Sequence, residues 1–100
     1  MKIKITTPAL RDMEELRLFL EKRSHSGLQN VLTDIETTIV KLSTSISRGR
    51  KTPRDDIWEK ITPTYKYKIP YYLRGDTLYI LRVYHSSREE LDYQAIINLD

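Results

Sequence analysis

The sequence predicts an α+β domain: an N-terminal strand, an antiparallel helical hairpin packed on an antiparallel sheet, and a C-terminal tail. Three observations carry this. Two apolar stripes at helical spacing fill the first half of the chain. Period-two alternation takes over in the second half. A short glycine-containing turn divides that second half into two strands. Helical stripes and alternating strands segregated along the chain are the pattern of helices laid on one face of a sheet.

Each element follows from local chemistry. Ile3 and Ile5 alternate with Lys2 and Lys4, as in a strand with one buried face. Thr7-Pro8 reads as a helix start, with Thr7 as N-cap and Pro8 at the first helical position. Asp12, Glu14 and Glu15 follow on the side of the helix where its dipole favours acids. Ala9, Met13, Leu16 and Leu20 form one stripe, and Lys22 and Arg23 close a first helix over 8–23. Ser24-His25-Ser26-Gly27 interrupts the pattern. Leu28, Val31, Leu32, Ile35, Ile39, Leu42 and Ile46 resume it, which predicts a second helix over 27–46 of about 30 Å. A short loop between two such helices makes an antiparallel pair, whose stripes are the two sides of a core.

Ser47 to Asp56 is a polar connector with Gly49 and Pro53. Ile57 to Thr62 is the next strand, closed by Pro63. Tyr65, Tyr67, Ile69, Tyr71 and Leu73 alternate with Lys66, Lys68, Pro70, Tyr72 and Arg74, giving a strand with distinct faces. Arg74-Gly75-Asp76-Thr77 turns the chain. Leu78 to Tyr84 is read as one continuous strand, apolar everywhere but Arg82. The tail, Ser87–Asp100, is compatible with a helix or an extended arm.

Composition narrows the function classes. A chain of 100 residues allows one domain, 1–100. The absence of cysteine excludes disulfides and thiolate chemistry. Two histidines 60 residues apart make a zinc site improbable, and no metal or cofactor is expected. No apolar run reaches the roughly 18 residues of a membrane span. The opening Met1–Ile5 lacks the apolar core of a signal peptide, so the expected location is the cytoplasm. Phosphate-loop, dinucleotide and nucleophile-elbow motifs are missing. The net charge of +3 is unevenly spread. Residues 48–88 hold ten Lys/Arg against four acids, whereas 89–100 hold four acids and no cation. The basic block suits a polyanion or an acidic protein, and equally suits a wet sheet face.

If Leu78–Tyr84 alternates without interruption, Arg82 shares a face with Leu78, Ile80 and Tyr84. Tyr67, Ile69, Tyr71, Leu81 and Val83 then turn toward the helices. Lys66, Lys68, Tyr72 and Arg82 make a cationic, aromatic patch on the opposite face, able to hold phosphates or stack rings. The alternative is that Arg82 pairs with a tail acid such as Glu89, Glu90 or Asp92. His85 and Arg88 lie just beyond. Imidazole titrates near neutrality, so His85 could serve as acid or base in RNA cleavage, with Arg82, Arg88 or Lys68 stabilising phosphorane charge. A surface histidine capping a strand end is the plainer alternative. His25 carries no assigned role, and Trp58, set among Asp55, Asp56 and Glu59, reads as a core or edge aromatic.

The segments Tyr65-Lys66-Tyr67-Lys68-Ile69-Pro70-Tyr71-Tyr72, Gly75-Asp76-Thr77-Leu78 and Ile80-Leu81-Arg82-Val83-Tyr84-His85-Ser86-Ser87-Arg88 closely resemble the ParE-like, plasmid-stabilisation branch of the RelE/ParE toxin superfamily. Asp12, Glu14 and Glu15, and Arg48-Gly49-Arg50, are also similar to it; the resemblance spans about 1–93. It implies the fold above and a bacterial toxin of a type II toxin–antitoxin system. Such a toxin is neutralised by a cognate antitoxin that wraps over its sheet and hairpin. The ParE-like branch implies inhibition of DNA gyrase by binding, without catalysis. The RelE-like branch implies a metal-independent nuclease cutting mRNA on the ribosome. By that second resemblance Lys68, Arg88 and Tyr93 stand where catalytic groups are found, with His85 and Arg82 beside them. RelE-like toxins carry a lysine pair in the preceding strand; here Lys60 stands alone beside Glu59, which favours the ParE-like reading.

Overall fold

The chain forms six strands and two helices, in a computed structural model describing residues 1–44, 49–88 and 90–100. The expected end of the second helix at Ile46, Arg48 of the Arg-Gly-Arg segment, and Glu89 lie outside the described residues. In chain order the elements are β1 (Lys2–Ile5), α1 (Thr7–Glu21), α2 (His25–Thr44), β2 (Arg50–Lys51), β3 (Trp58–Ile61), β4 (Tyr67–Arg74), β5 (Thr77–Ile80) and β6 (Tyr84–His85). The sheet runs β1-β5-β4-β3-β2, and β6 pairs with β4. It is antiparallel except that β1 joins parallel to β5, Ile3 opposite Leu78 and Ile5 opposite Ile80. The helices cover one face.

Both helices start one or two residues before the expected positions. Thr6, not Thr7, caps α1: its hydroxyl accepts from Ala9 N–H and donates to Ile80 O at 2.8 Å. The cap therefore also fastens the β1–α1 junction to the end of β5. Ser24 plays the same part for α2, its hydroxyl accepting from Gly27 N–H at 3.0 Å. Arg23 lies past the last turn of α1, yet its guanidinium stacks 3.8 Å over Phe19 and donates to the Phe19 carbonyl. The stripes pack as their spacing predicts. Ala9, Val31, Ile35, Ile39 and Leu42 meet Ile69, Tyr71, Leu78, Ile80 and Val83 in the main core, with Trp58 and Met13 at its margin.

The connector contains a short strand, β2, that its polar sequence conceals. Gly49 lets it approach: a β-carbon there would lie 2.1 Å from the Glu59 carbonyl. The Gly49 N–H also donates to Tyr71 Oη at 2.7 Å. Gly75 takes the positive φ its turn requires. Lys66 is the one other described residue at positive φ, which places Tyr65 and Lys66 in the turn before β4 rather than in the strand.

The largest departure from the sequence reading lies at Leu81–Val83. Leu78–Tyr84 is not one strand. Tyr71 pairs with Ile80, and Lys68 pairs with Tyr84. Two residues of β4, Ile69 and Pro70, thus face three on the other chain, which is a β-bulge. The extra residue resets the alternation. Leu78 and Ile80 face the helices, and Leu81 faces away. Arg82 and Val83 both return to the helix side, and Tyr84 turns away again. Placing Leu81 with Tyr71 on the helix side is therefore corrected, as is placing Tyr84 with Leu78.

Asp12 of α1 holds the bulge. Its carboxylate is 8% exposed and accepts three bonds: Arg82 Nε at 2.6 Å, Arg82 Nη2 at 2.9 Å and Val83 N–H at 2.9 Å. Arg82 thus pairs with Asp12, not with a tail acid. A side-on bidentate pair combined with a backbone donor satisfies most of a buried carboxylate's acceptor capacity.

A second layer lies on the other face. Tyr93 and Ile96 of the tail bury Ile57 and Leu81, flanked by Tyr72 and Tyr79. Among its described residues the tail is neither helix nor strand.

Removing Asp12 leaves a partly buried guanidinium and a buried N–H without their acceptor. Asp12→Ala is expected to lower unfolding free energy by about 3 kcal/mol, the low end for a broken buried pair because Arg82 keeps some solvent contact. Urea unfolding checks this through a lower midpoint at unchanged slope. A loss below about 0.5 kcal/mol, the range of ordinary surface substitutions, would contradict it.

Candidate functional site

The bulge and α1 together create a groove of about 330 Å³ at one end of the sheet. Asp12, Glu15, Leu16 and Phe19 line it from α1; Tyr67, Val83, Tyr84, His85 and Arg88 line it from the strands and the following turn. Two sequence-nominated residues, His85 and Arg88, line this groove. Arg82 does not line the groove but is fastened to Asp12, which does, and those hydrogen bonds raise the already high guanidinium pKa. His85 is half-buried, its ring edge-on to Tyr67 with centroids 5.2 Å apart. Arg88 is exposed, and its guanidinium makes no ion pair among the described residues.

The tautomer of His85 follows from its neighbours. Nδ1 lies 3.1 Å from the Ser87 N–H and 2.7 Å from the Ser87 hydroxyl. A backbone N–H can only donate, so Nδ1 accepts, and the neutral ring carries its proton on Nε2. In this state His85 presents a donor to solvent or a partner, not a base.

The other nominated residues lie elsewhere. Lys68 is on the outer face, its Nζ 5.9 Å from the centre of the Tyr84 ring. Tyr72 is also on that face, beside Tyr79 and against the tail. Lys66 is exposed in the turn before β4. A single patch of Lys66, Lys68, Tyr72 and Arg82 is therefore not formed: the bulge sends Arg82 to the opposite face, and the tail lies beside Tyr72.

Tyr93 has a role that the sequence reading missed. It is 3% exposed, and its hydroxyl donates to the Glu59 carboxylate and lies 3.2 Å from Tyr84 Oη. Glu59 is equally buried and pairs with Arg50 of β2. The signal was present: Ile57, just before β3, alternates with Glu59 and Ile61, so an acid occupies a position between two apolar residues of one face. Burial, then the bond to Glu59, drives the Tyr93 phenol far above the ordinary tyrosine value. Burial alone raises Tyr67, and it is the leading cause for Tyr84.

Chemically, the groove is suited to binding. It offers an apolar wall from Leu16 and Phe19, an exposed cation in Arg88 and a donor in His85. The two groups best placed by charge or hydroxyl for phosphate chemistry, Arg82 and Tyr93, are engaged by Asp12 and Glu59. Among the described residues no set of three His, Asp or Glu side chains converges as a metal site.

Comparison with known proteins agrees with the fold. A family model described as "ParE toxin of type II toxin-antitoxin system, parDE" matches residues 3–90. A solved structure titled "Chromosomal ParDE TA system from P. aeruginosa" superposes with a TM-score of 0.72 at 17% identity, covering 85% of this chain and 95% of that one. No curated protein matches significantly.

Three of the seven tyrosines, Tyr67, Tyr84 and Tyr93, have raised pKa values. They stay neutral in the folded protein while unfolded tyrosines ionise near pH 10. The stability they contribute is complete below about pH 10 and is lost as pH climbs above it, because the unfolded state then binds fewer protons than the native one. Ultraviolet titration of the phenolate band is expected to show these three ionising last and together with unfolding. Independent ionisation of all seven near pH 10 with the fold intact would refute this.

Proposed function

Because the chain belongs to the ParE toxin family of type II toxin–antitoxin systems, we propose that it arrests bacterial growth by binding and inhibiting a protein target, DNA gyrase, and that a cognate antitoxin neutralises it. The observation that carries this reading is the engagement of Arg82 and Tyr93. Each is bonded to a buried carboxylate inside the fold. A phosphate or a scissile RNA would have to compete with those bonds for both groups. A toxin acting by surface recognition needs no such release. It needs exposed groups, and Lys66, Arg88 and the His85 donor provide them, with Lys68 half-exposed on the outer face. The apolar side chains left open on the helices, Leu10, Leu18, Phe19 and Val40, supply area for an antitoxin to cover. Action in the cytoplasm, in a plasmid-stabilisation setting, belongs to the same proposal.

Induction of the chain without its antitoxin is expected to stop growth with relaxed plasmid DNA and a DNA-damage response. Purified toxin should block gyrase supercoiling in vitro. Arg88→Glu, a change at an exposed cation, should weaken that block at least tenfold while leaving circular dichroism unchanged. If induced cells instead lose translation first, and primer extension maps new mRNA 5′ ends on ribosomes, the gyrase reading fails and a metal-independent ribonuclease takes its place.

A further inference from the structure

The C-terminal segment Leu91–Asp100 is attached differently from every other part of the fold. It lies beyond the region matched by the family model, which stops at residue 90. Its one backbone–backbone hydrogen bond among the described residues is local, Ala95 N–H to Asp92 O at 3.1 Å. No ladder joins it to a strand. What holds it are side-chain anchors and two peripheral ties. Tyr93 donates to Glu59 and touches Tyr84 Oη. Ile96 enters the outer cluster with Ile57 and Leu81. Arg54 donates to Gln94 O at 3.3 Å, and the Thr7 hydroxyl donates to Asp100 O at 3.2 Å.

The apolar residues beneath the segment do not depend on the main core. Ile57 and Leu81 form a cluster with the tail, distinct from the one between helices and sheet. Lifting the segment would break that small cluster, the two buried bonds of the Tyr93 hydroxyl and the exposed ties from Arg54 and Thr7, yet no strand pairing. Free energies of local opening track the contacts broken, so this segment belongs at the low end of the molecule's range.

We propose that Leu91–Asp100 is a releasable strap that opens as a unit from the outer sheet face, with the Tyr93–Glu59 hydrogen bond as its latch, while the helices and sheet remain folded. Opening uncovers Leu81 and Ile57 together with one side of Tyr72 and Tyr79, turning a covered face into an apolar, aromatic one. The latch restrains opening because lifting Tyr93 leaves the Glu59 carboxylate with Arg50 as its remaining side-chain partner among the described residues.

The absence of native cysteine allows a direct test by thiol labelling of the full chain. Single cysteines replace Ile96 on the strap, 9% exposed, and Val31 in the main core, 5% exposed. Leu81→Cys, beneath the strap, is a second reporter should Ile96→Cys itself loosen the segment. Under native conditions Ile96→Cys and Leu81→Cys are expected to react with a disulfide reagent at least 100-fold faster than Val31→Cys. Adding Tyr93→Phe should speed the first two a further tenfold or more and leave Val31→Cys unchanged. Equal rates at all three positions would overturn the proposal, since the segment would then open only with the whole fold. Acceleration of all three alike by Tyr93→Phe would overturn it for the same reason. Rapid strap labelling that Tyr93→Phe fails to change would remove the latch.

Discussion

The Asp12 carboxylate joins parts of the chain that nothing in the local sequence brings together. It sits on the inward face of α1 and reaches residues 70 and 71 positions away. Burying a charge costs several kcal/mol, and the cost is recovered only when its acceptor sites are filled with good geometry. Here a guanidinium fills both oxygens and a backbone N–H adds a third bond. That N–H is the one the bulge takes out of the β4 ladder. The clamp therefore answers two problems at once, a buried anion on the helix and an orphan donor on the strand. It also fixes where α1 lies against the sheet, and so the width of the groove beside His85 and Arg88.

The outer face repeats this solution with different partners. Glu59 is a second buried carboxylate, again met by an arginine and by a further donor, the Tyr93 hydroxyl. The two sites differ in what they fasten. Asp12 ties a helix to the sheet across an extensive core. Glu59 ties a segment with no regular structure across a small one. The same chemistry thus supports a permanent junction on one face and a weaker one on the other, because the apolar area and backbone bonding around each are unequal. Arg50 also keeps the Glu59 charge partly compensated when Tyr93 moves, which makes local opening less costly than exposing a wholly unpaired buried ion.

The sequence disclosed whatever depends on periodicity over several residues. The stripes of α1 and of α2 as far as Leu42, the alternation of β4 from Tyr67 onward and the Gly75 turn appear as read. What it concealed depends on single insertions and on distance. A bulge adds one residue, so counting by twos through Leu78–Tyr84 cannot hold at both ends: a phase that is right for Val83 and Tyr84 assigns every residue from Leu78 to Arg82 to the wrong face. That one slip divided the expected cationic patch between two faces. Asp12 follows Ala9 by three positions and precedes Leu16 by four, so its helical phase already placed it on the buried side. Reading it as a dipole-favoured acid overlooked that phase. Thr6 rather than Thr7 caps α1 because its hydroxyl also binds Ile80 O, a tertiary contact that local propensity does not contain. β2 is two residues long and polar, and it exists because Gly49 allows close approach to β3.

The strand segment that carries the family resemblance shows why a motif and a role must be argued separately. Within Ile80-Leu81-Arg82-Val83-Tyr84-His85, Ile80 and Val83 build one core and Leu81 the other. Arg82 holds the bulge, and Tyr84 lines the outer network. Nearly every position of the motif is accounted for by packing around an irregular strand. Such a pattern identifies the fold strongly, because few sequences satisfy two cores and a clamped bulge in six residues. By the same reasoning it says little about catalysis, since its arginine is already engaged. Functional residues are better sought among groups the fold leaves unengaged. Among the described residues those include Arg88, whose guanidinium no acid claims, and the Nε2 donor of His85 beside it.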